Sequence, residues 1–288
     1  MTAAVVHSAL PDALTAAVDA ELGAAGVAHV AHGDRDPVAS GAAAAGDASA
    51  MALIGPFGSR AVAEAVEATA PASLPLLAPA ATWAGVTRDD EPGCEDDPAR
   101  HRGTVLRMVA RDTEVARRIA ADVRARDQRA LVLAGAHEYG VQLGGQLRLA
   151  GLPRVDDPVD ADLVVLCGLA GAPEMVRAAA LAPLPVVAFD GAQGADLGPD
   201  REVRLALPVA PAADAVVGDV LFYVEPARRA ARLVADALHA GARDRAALLA
   251  ALRAAGPFDA HGDPLDPPVW LWRAGGDWSL TPDRALAR

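Results

Sequence analysis

Short apolar runs alternate with helix-period stretches along most of this chain, and that alternation leaves few folds open. "AAVVHSA" (3–9), "VAHVAHGD" (27–34), "MALIGPF" (51–57) and "LPLLAPA" (74–80) have strand character. Between them lie "PDALTAAVDAELGAAG", "PVASGAAAAGDAS" and "SRAVAEAVEATA", each with a helical pattern. The first has proline at its start and Gly26 past its end, the usual asymmetry of a helix. Continuous apolar strands separated by helices predict a parallel sheet covered on both faces. After a polar stretch from Thr87 to Arg102 come a strand candidate, "GTVLRMVA", and a helix, "RDTEVARRIAADVRARD". The alternation then restarts with "RALVLAGA", "YGVQLGGQLRLAG", "ADLVVLCG", "PEMVRAAALA" and "LPVVAFDG". "EVRLALPVAP" reads as a last strand or a crossover. "EPARRAARLVADALHAG" and "RDRAALLAALRAAG" read as two long amphipathic helices. "PPVWLWRAGGDWSLTP" reads as a hairpin around Gly275-Gly276, with Trp270, Trp272 and Trp278 on its strands.

The restart predicts an α/β chain of two doubly wound parallel-sheet lobes, and 288 residues are enough to give each a core. Crossings between lobes are expected near Arg111, Pro208 and Pro257. One lobe would then hold 1–111 plus 209–257, the other 112–208 plus 258–288. In such sheets ligands bind beyond the carboxyl ends of the strands, and two lobes can set those ends across a cleft.

Charge and composition remove several function classes. A formal net charge of -12 repels phosphate backbones and anionic membrane surfaces, so neither nucleic acid nor a membrane is an expected partner. The chain has no lysine and no asparagine. Schiff-base chemistry and a lysine-bearing phosphate loop are therefore excluded. Cys94 sits in the polar loop and Cys167 ends an apolar run; no disulfide and no zinc spacing is expected. No cofactor motif is present. The N-terminus lacks a basic start and an unbroken apolar core, so as written the chain is expected to be cytoplasmic, or extracytoplasmic if a leader is trimmed from it. No apolar run reaches membrane-spanning length.

Two strand ends carry the same chemistry. Gly55-Pro56-Phe57-Gly58-Ser59 follows one apolar run. Either Ser59 only caps a helix beginning at Arg60, or its hydroxyl and the helix N-terminus also hold an anion such as a carboxylate. Pro79-Ala80-Ala81-Thr82 ends the next run. It is either an ordinary turn or a place where small side chains let a ligand approach, with Thr82 adding a hydroxyl. Asp190-Gly191 is a turn or a carboxylate ready for an ammonium group. Tyr139, beside His137 and Glu138, packs in the core or covers a ligand. His29 and His32 have no carboxylate at metal spacing. Asp156, Asp157, Asp160 and Asp162 lack the glycine and glutamate of a calcium loop and read as a solvated connection. Ser59, His137 and Asp190 do not form a convincing triad, because no G-x-S-x-G elbow is present.

These segments, in this order, resemble the leucine/isoleucine/valine-binding family of solute-binding proteins, which have the type I periplasmic-binding fold. "ALIGPFGS" resembles the strand and turn carrying that family's ligand-binding serine, and "PLLAPAAT" its next strand end. "HEYGVQLGGQLRLAGL" is similar to the segment with its cleft tyrosine. "DADLVVLCGLAGAPEMVRAAA" and "GPFDAHGDPLDPPVWLWRAGGDWSLTP" resemble its following strand-helix unit and its closing segment. The resemblance runs from about Val27 to the C-terminus. It implies a non-catalytic binder of an amino acid or similar small acid, closing on its ligand and handing it to an ABC permease. By position, Ser59 would bind the α-carboxylate, with Ala80, Ala81 and Thr82 lining the head group. Asp190 would face the ammonium, and Tyr139 would cover the ligand from the second lobe. A second family tyrosine, usual near Leu169-Ala170, is missing, and the resulting space suits a bulkier ligand such as an aromatic acid. A regulatory sensor on the same fold, working through a protein partner, and a relative that has lost its ligand are the alternatives.

Overall fold

The computed structural model describes residues 4–32, 36–88, 103–181, 183–197, 201–211, 221–256, 258–276 and 278–287. Cys94 and most of the polar stretch after Thr87 lie outside them. The elements begin β1 (Ala4–Ser8), α1 (Asp12–Ala24), β2 (Ala28–His32), α2 (Pro37–Gly46), β3 (Ala50–Ile54), α3 (Ser59–Thr69), β4 (Leu76–Ala78) and β5 (Val105–Arg107). They continue with α4 (Asp112–Ala125), β6 (Ala130–Ala134), α5 (Glu138–Leu149), β7 (Arg154–Val155), β8 (Leu163–Cys167), α6 (Pro173–Ala179), β9 (Val186–Phe189) and β10 (Val203–Leu207). Last come α7 (Val224–His239), α8 (Arg245–Ala255), β11 (Trp270–Ala274) and β12 (Leu280–Ala285). The expected alternation is present throughout, and "EVRLALPVAP" contains a strand.

The chain forms two compact units, residues 1–111 with 220–267 and residues 112–219 with 268–288. The segment 258–267 thus packs in the first unit, where the sequence suggested the second. Its Asp263 supplies the reason, as described below.

In the first unit five parallel strands take the order β2-β1-β3-β4-β5. The order reverses at β1 and β3, and sheets of this kind bind ligands beyond the carboxyl ends of the strands at such a point. β3 is buried along its whole length. Val6, Leu53, Val62, Val66, Leu76 and Val105 pack in one core cluster, each such side chain contributing about 1.5–3 kcal/mol by leaving water. α3 meets that core through Val62, Ala65, Val66 and Thr69, which lie on one helical face. α2 begins with Pro37 behind Asp36, whose carboxylate accepts from the N–H groups of Val38 and Ala39.

The second unit repeats the pattern. Its parallel strands run β7-β6-β8-β9-β10, and the antiparallel hairpin β11-β12 extends the sheet beyond β10. Here β6 and β8 hold the places that β1 and β3 hold in the first unit. The hairpin differs from the expectation in one respect. Trp278 sits in the connection rather than on a strand, with φ of 60°, and its Nε1 donates to the carbonyl of Ala195 at 3.1 Å. Cys167 is buried, and that burial pushes its thiol pKa well above the ordinary value.

His29 does have a carboxylate, brought to it by the fold. Asp19 of α1 places Oδ1 2.7 Å from His7 Nε2 and 3.3 Å from His29 Nε2. Burial lowers the pKa of His7, and Asp19 offsets this only in part. A histidine whose folded pKa is depressed destabilises the native state as pH falls through its unfolded value of about 6.5. Thermal melts from pH 8 to pH 5 should therefore show a loss of stability that is smaller in His7→Gln. Equal slopes in the two proteins would contradict this.

Candidate functional site

Beyond the carboxyl end of β3 the chain must turn tightly against β1. Gly55 has φ of 97°, and a Cβ there would stand 2.6 Å from the carbonyl oxygen of Ser8, so only glycine fits. Phe57 N–H then donates to Ala9 at 3.0 Å. Gly58, with φ of 86°, is the residue preceding α3, and the helix starts at Ser59 itself. The capping role considered for Ser59 is therefore not what its side chain does. Its Oγ accepts from the backbone N–H groups of Thr82 and Trp83, each at 3.0 Å. With both bonds arriving at the oxygen, the hydroxyl hydrogen remains to be donated. Ala80, Ala81 and Thr82 are all buried in the same turn. The sequence-predicted residues of this unit are thus brought together at one sheet edge.

Two further polar atoms of this unit were missed by sequence reasoning. Ser8 Oγ and Trp83 Nε1 are buried without a hydrogen-bond partner among the described residues. The signal for Ser8 was available, since it closes an apolar strand with a hydroxyl just as Thr82 follows one.

Beneath the turn lies a buried ionic cluster. Arg107, with no exposed surface, donates through Nε to Asp263 Oδ1 at 2.9 Å. Its two terminal nitrogens reach the carbonyls of Ala81 and Trp83 and the hydroxyl of Thr87. Thr87 Oγ1 in turn donates to Asp263 Oδ1 at 2.6 Å, and Arg88 and Arg111 approach Asp263 Oδ2 at 2.9 and 3.4 Å. Burial alone would raise the pKa of Asp263. The charges of Arg107 and Arg111 and the hydrogen bonds from Thr87 and Arg107 bring it down to about 2.

In the second unit Tyr139 and Asp190 meet. His137 precedes α5 and accepts from Tyr139 N–H through Nδ1 at 3.3 Å. The Tyr139 hydroxyl donates to Asp190 Oδ1 at 2.7 Å, and Gly191 N–H donates to the same oxygen at 2.9 Å. A Cβ on Gly191 would stand 2.9 Å from the Tyr139 ring and 3.0 Å from Leu169, so the three lie side by side. Leu169 is 42% exposed at this edge, and Ala170 N–H donates to Gly191 at 2.8 Å. Glu174, only 5% exposed, lies between Gly135 and Gly168, and one of its oxygens has no partner among the described residues.

No described hydrogen bond joins His137 to Asp190, so the imagined triad does not assemble within this unit. Of the aspartates from 156 to 162, Asp157 accepts from Val159 N–H as a turn residue does, and Asp162 accepts from the N–H of Arg129, the residue before β6. Among the described residues no cluster of histidine, cysteine and carboxylates suited to a metal ion is present. The edge around Ser59 therefore offers hydroxyls and a helix N-terminus to an anion. The edge around Asp190 offers a carboxylate and a phenol to a cationic or hydrogen-bond-donating group.

No protein-family model matches the sequence, and no curated protein matches it. Solved structures do. An ABC transporter substrate-binding protein from Desulfitobacterium hafniense in complex with Leu is 19% identical, with a TM-score of 0.76 over 98% of this chain and 100% of that one. The branched-chain amino acid transporter substrate-binding protein LivJ of Streptococcus pneumoniae, in complex with isoleucine, is 15% identical, with a TM-score of 0.72 over 98% and 100%. A solute-binding protein of an ABC transporter from R. palustris, in complex with benzoate, is 13% identical, with a TM-score of 0.69 over 99% and 96%. The chain thus has the type I periplasmic-binding fold of these substrate-binding proteins.

Proposed function

We propose that this protein is a non-catalytic solute-binding protein for an amino acid or a related small carboxylate, serving ABC-type transport. The observation that carries this is the chemistry of the two strand-end sites. Ser59, with its hydrogen left to donate, takes the carboxylate together with Thr82. Asp190, held by Tyr139, takes the ammonium. Each site follows a switch point of its own sheet, where α/β folds bind ligands. The neighbours of this fold that hold leucine, isoleucine and benzoate support the ligand class. Leu169, exposed where a tyrosine is usual in the leucine/isoleucine/valine-binding family, supports room for an aromatic acid. Ala80 and Ala81 keep side chains small where the head group enters.

The test is calorimetric titration and thermal shift with leucine, phenylalanine and benzoate. A ligand that binds the native state alone raises the melting temperature with concentration. Ser59→Ala should weaken binding of every acid by about 10- to 100-fold, the size of a hydrogen bond to a charged group. Asp190→Ala should weaken the amino acids and spare benzoate. Absence of saturable binding by all three ligands, or binding indifferent to Ser59→Ala, would overturn the proposal. Chemical alteration of a bound ligand would overturn its non-catalytic character.

A further inference from the structure

The turn after β4 turns its N–H groups toward Ser59 because its carbonyls are held from below. Ala81 C=O and Thr82 N–H belong to one peptide group, and in a trans peptide they point in opposite directions. The oxygen end of that plane is bonded to the Arg107 guanidinium, and the nitrogen end points at Ser59 Oγ. The next N–H, that of Trp83, also goes to Ser59, while the Trp83 carbonyl returns to Arg107 at 2.9 Å. Arg107 is thus bonded to carbonyls on both sides of the peptide that joins Thr82 to Trp83. It stands on β5, paired with β4 at Ala78, directly beneath the turn. Asp263 and Thr87 fix the plane of the guanidinium in their turn, at 2.9 and 2.7 Å.

The geometry points to Arg107 as the positioning residue that makes the Ser59 edge a donor site: it sets the orientation of the Ala81–Thr82 peptide and so gives the site its preference for carboxylates. A flipped peptide would set the Ala81 oxygen against Ser59 Oγ, and the hydroxyl hydrogen would go to that oxygen instead of to the ligand's carboxylate. The guanidinium suits this task because its donors are arranged in a rigid planar fork, which a lysine ammonium cannot reproduce. The inference about ligand preference rests on the proposal that this edge takes a carboxylate. The inference about the peptide does not.

Two measurements separate these. In the ligand-free protein, amide hydrogen exchange is followed for Thr82 and Trp83, with Leu53 of β3 and Val66 of α3 as references. Arg107→Lys should speed exchange at Thr82 and Trp83 at least tenfold while the references change less than twofold. Thr87→Val leaves Arg107 in place and removes one support of its guanidinium. It should act in the same direction with smaller size, and it decides the matter if Arg107→Lys does not fold. The second measurement compares acids with counterparts in which a neutral amide replaces the carboxylate, benzoate with benzamide and leucine with leucinamide. The variant should lose its preference for the acid by tenfold or more, with benzamide binding little changed. A residue that merely stabilised the fold would lower the melting temperature and weaken both members of each pair alike. Unchanged exchange at Thr82 overturns the positioning role, and a retained acid preference overturns its bearing on the ligand. If the parent protein binds none of the four probes, the proposed function fails, and exchange at Thr82 still decides what Arg107 does.

Discussion

Replacing Asp263 with asparagine is expected to destabilise the first unit by about 3–5 kcal/mol, the size found when one partner of a buried charge pair is removed. Arg107 would then keep its charge with no exposed surface and without the Asp263 carboxylate beside it. Arg88 and Arg111 would lose the same partner. The melting temperature should fall by about 10 °C. A pH dependence follows with a definite sign. The Asp263 pKa is about 2 in the folded chain against an ordinary 3.8. A depressed carboxylate stabilises the native state above its unfolded pKa and ceases to do so as pH falls through the folded one. About 2 kcal/mol should therefore be lost between about pH 4 and pH 2, and Asp263→Asn should lack this component. Urea melts of both proteins at pH 7 and pH 3 measure it. A variant as stable as its parent at pH 7 would show that the cluster contributes no net stability.

Gly140→Ala should strike the second unit. Gly140 lies in the first turn of α5, one residue after Tyr139. A Cβ there would be 2.7 Å from Gly135 N and 2.8 Å from Cys167 O. These two atoms form the 2.9 Å hydrogen bond linking the ends of β6 and β8. Backbone on two paired strands cannot yield as a flexible side chain does, so the helix must move. Overpacking of this kind costs about 1–3 kcal/mol. The displacement also carries Tyr139 away from Asp190, so the ultraviolet signature of the tyrosine should change along with the melting temperature. Gly145→Ala on the same helix is the control, because a Cβ there meets nothing within 4 Å. It should stabilise by up to about 1 kcal/mol through helix propensity alone. Equal effects from the two substitutions would refute the packing argument.

The strand-end residues were legible for a physical reason. A parallel strand is buried on both faces and reads as an apolar run, so the place where the run stops marks the carboxyl edge of the sheet. Ser59, Ala80, Ala81, Thr82, Tyr139 and Asp190 read as candidates that way, whereas Leu169 comes from the family resemblance. What each does at the edge was less legible. Ser59 reads either as a helix cap alone or as a cap that also holds an anion, because serine before a helical pattern usually caps it. Whether an acceptor turns to its own helix or to another loop depends on which loop the sheet order places alongside, here the turn after β4. Trp278 looked like a strand residue by alternation, and a positive φ at the hairpin removed it from the ladder.

Local periodicity by itself determined the α/β alternation, the repeat of one strand-helix pattern in two halves, and the two sheet edges where polar residues collect. Those depend on contacts between near neighbours and on the burial of one face or two, which a sequence pattern records directly. Only the tertiary structure decided that segment 258–267 packs in the first unit, that Asp263 meets Arg107 across 156 positions of sequence, and that Asp19 serves both His7 and His29. Burying a charge is unfavourable until a partner arrives, and no short-range pattern specifies a partner supplied by distant chain. The orientation of the Ala81–Thr82 peptide, on which the character of the Ser59 edge turns, is a consequence of that long-range pairing.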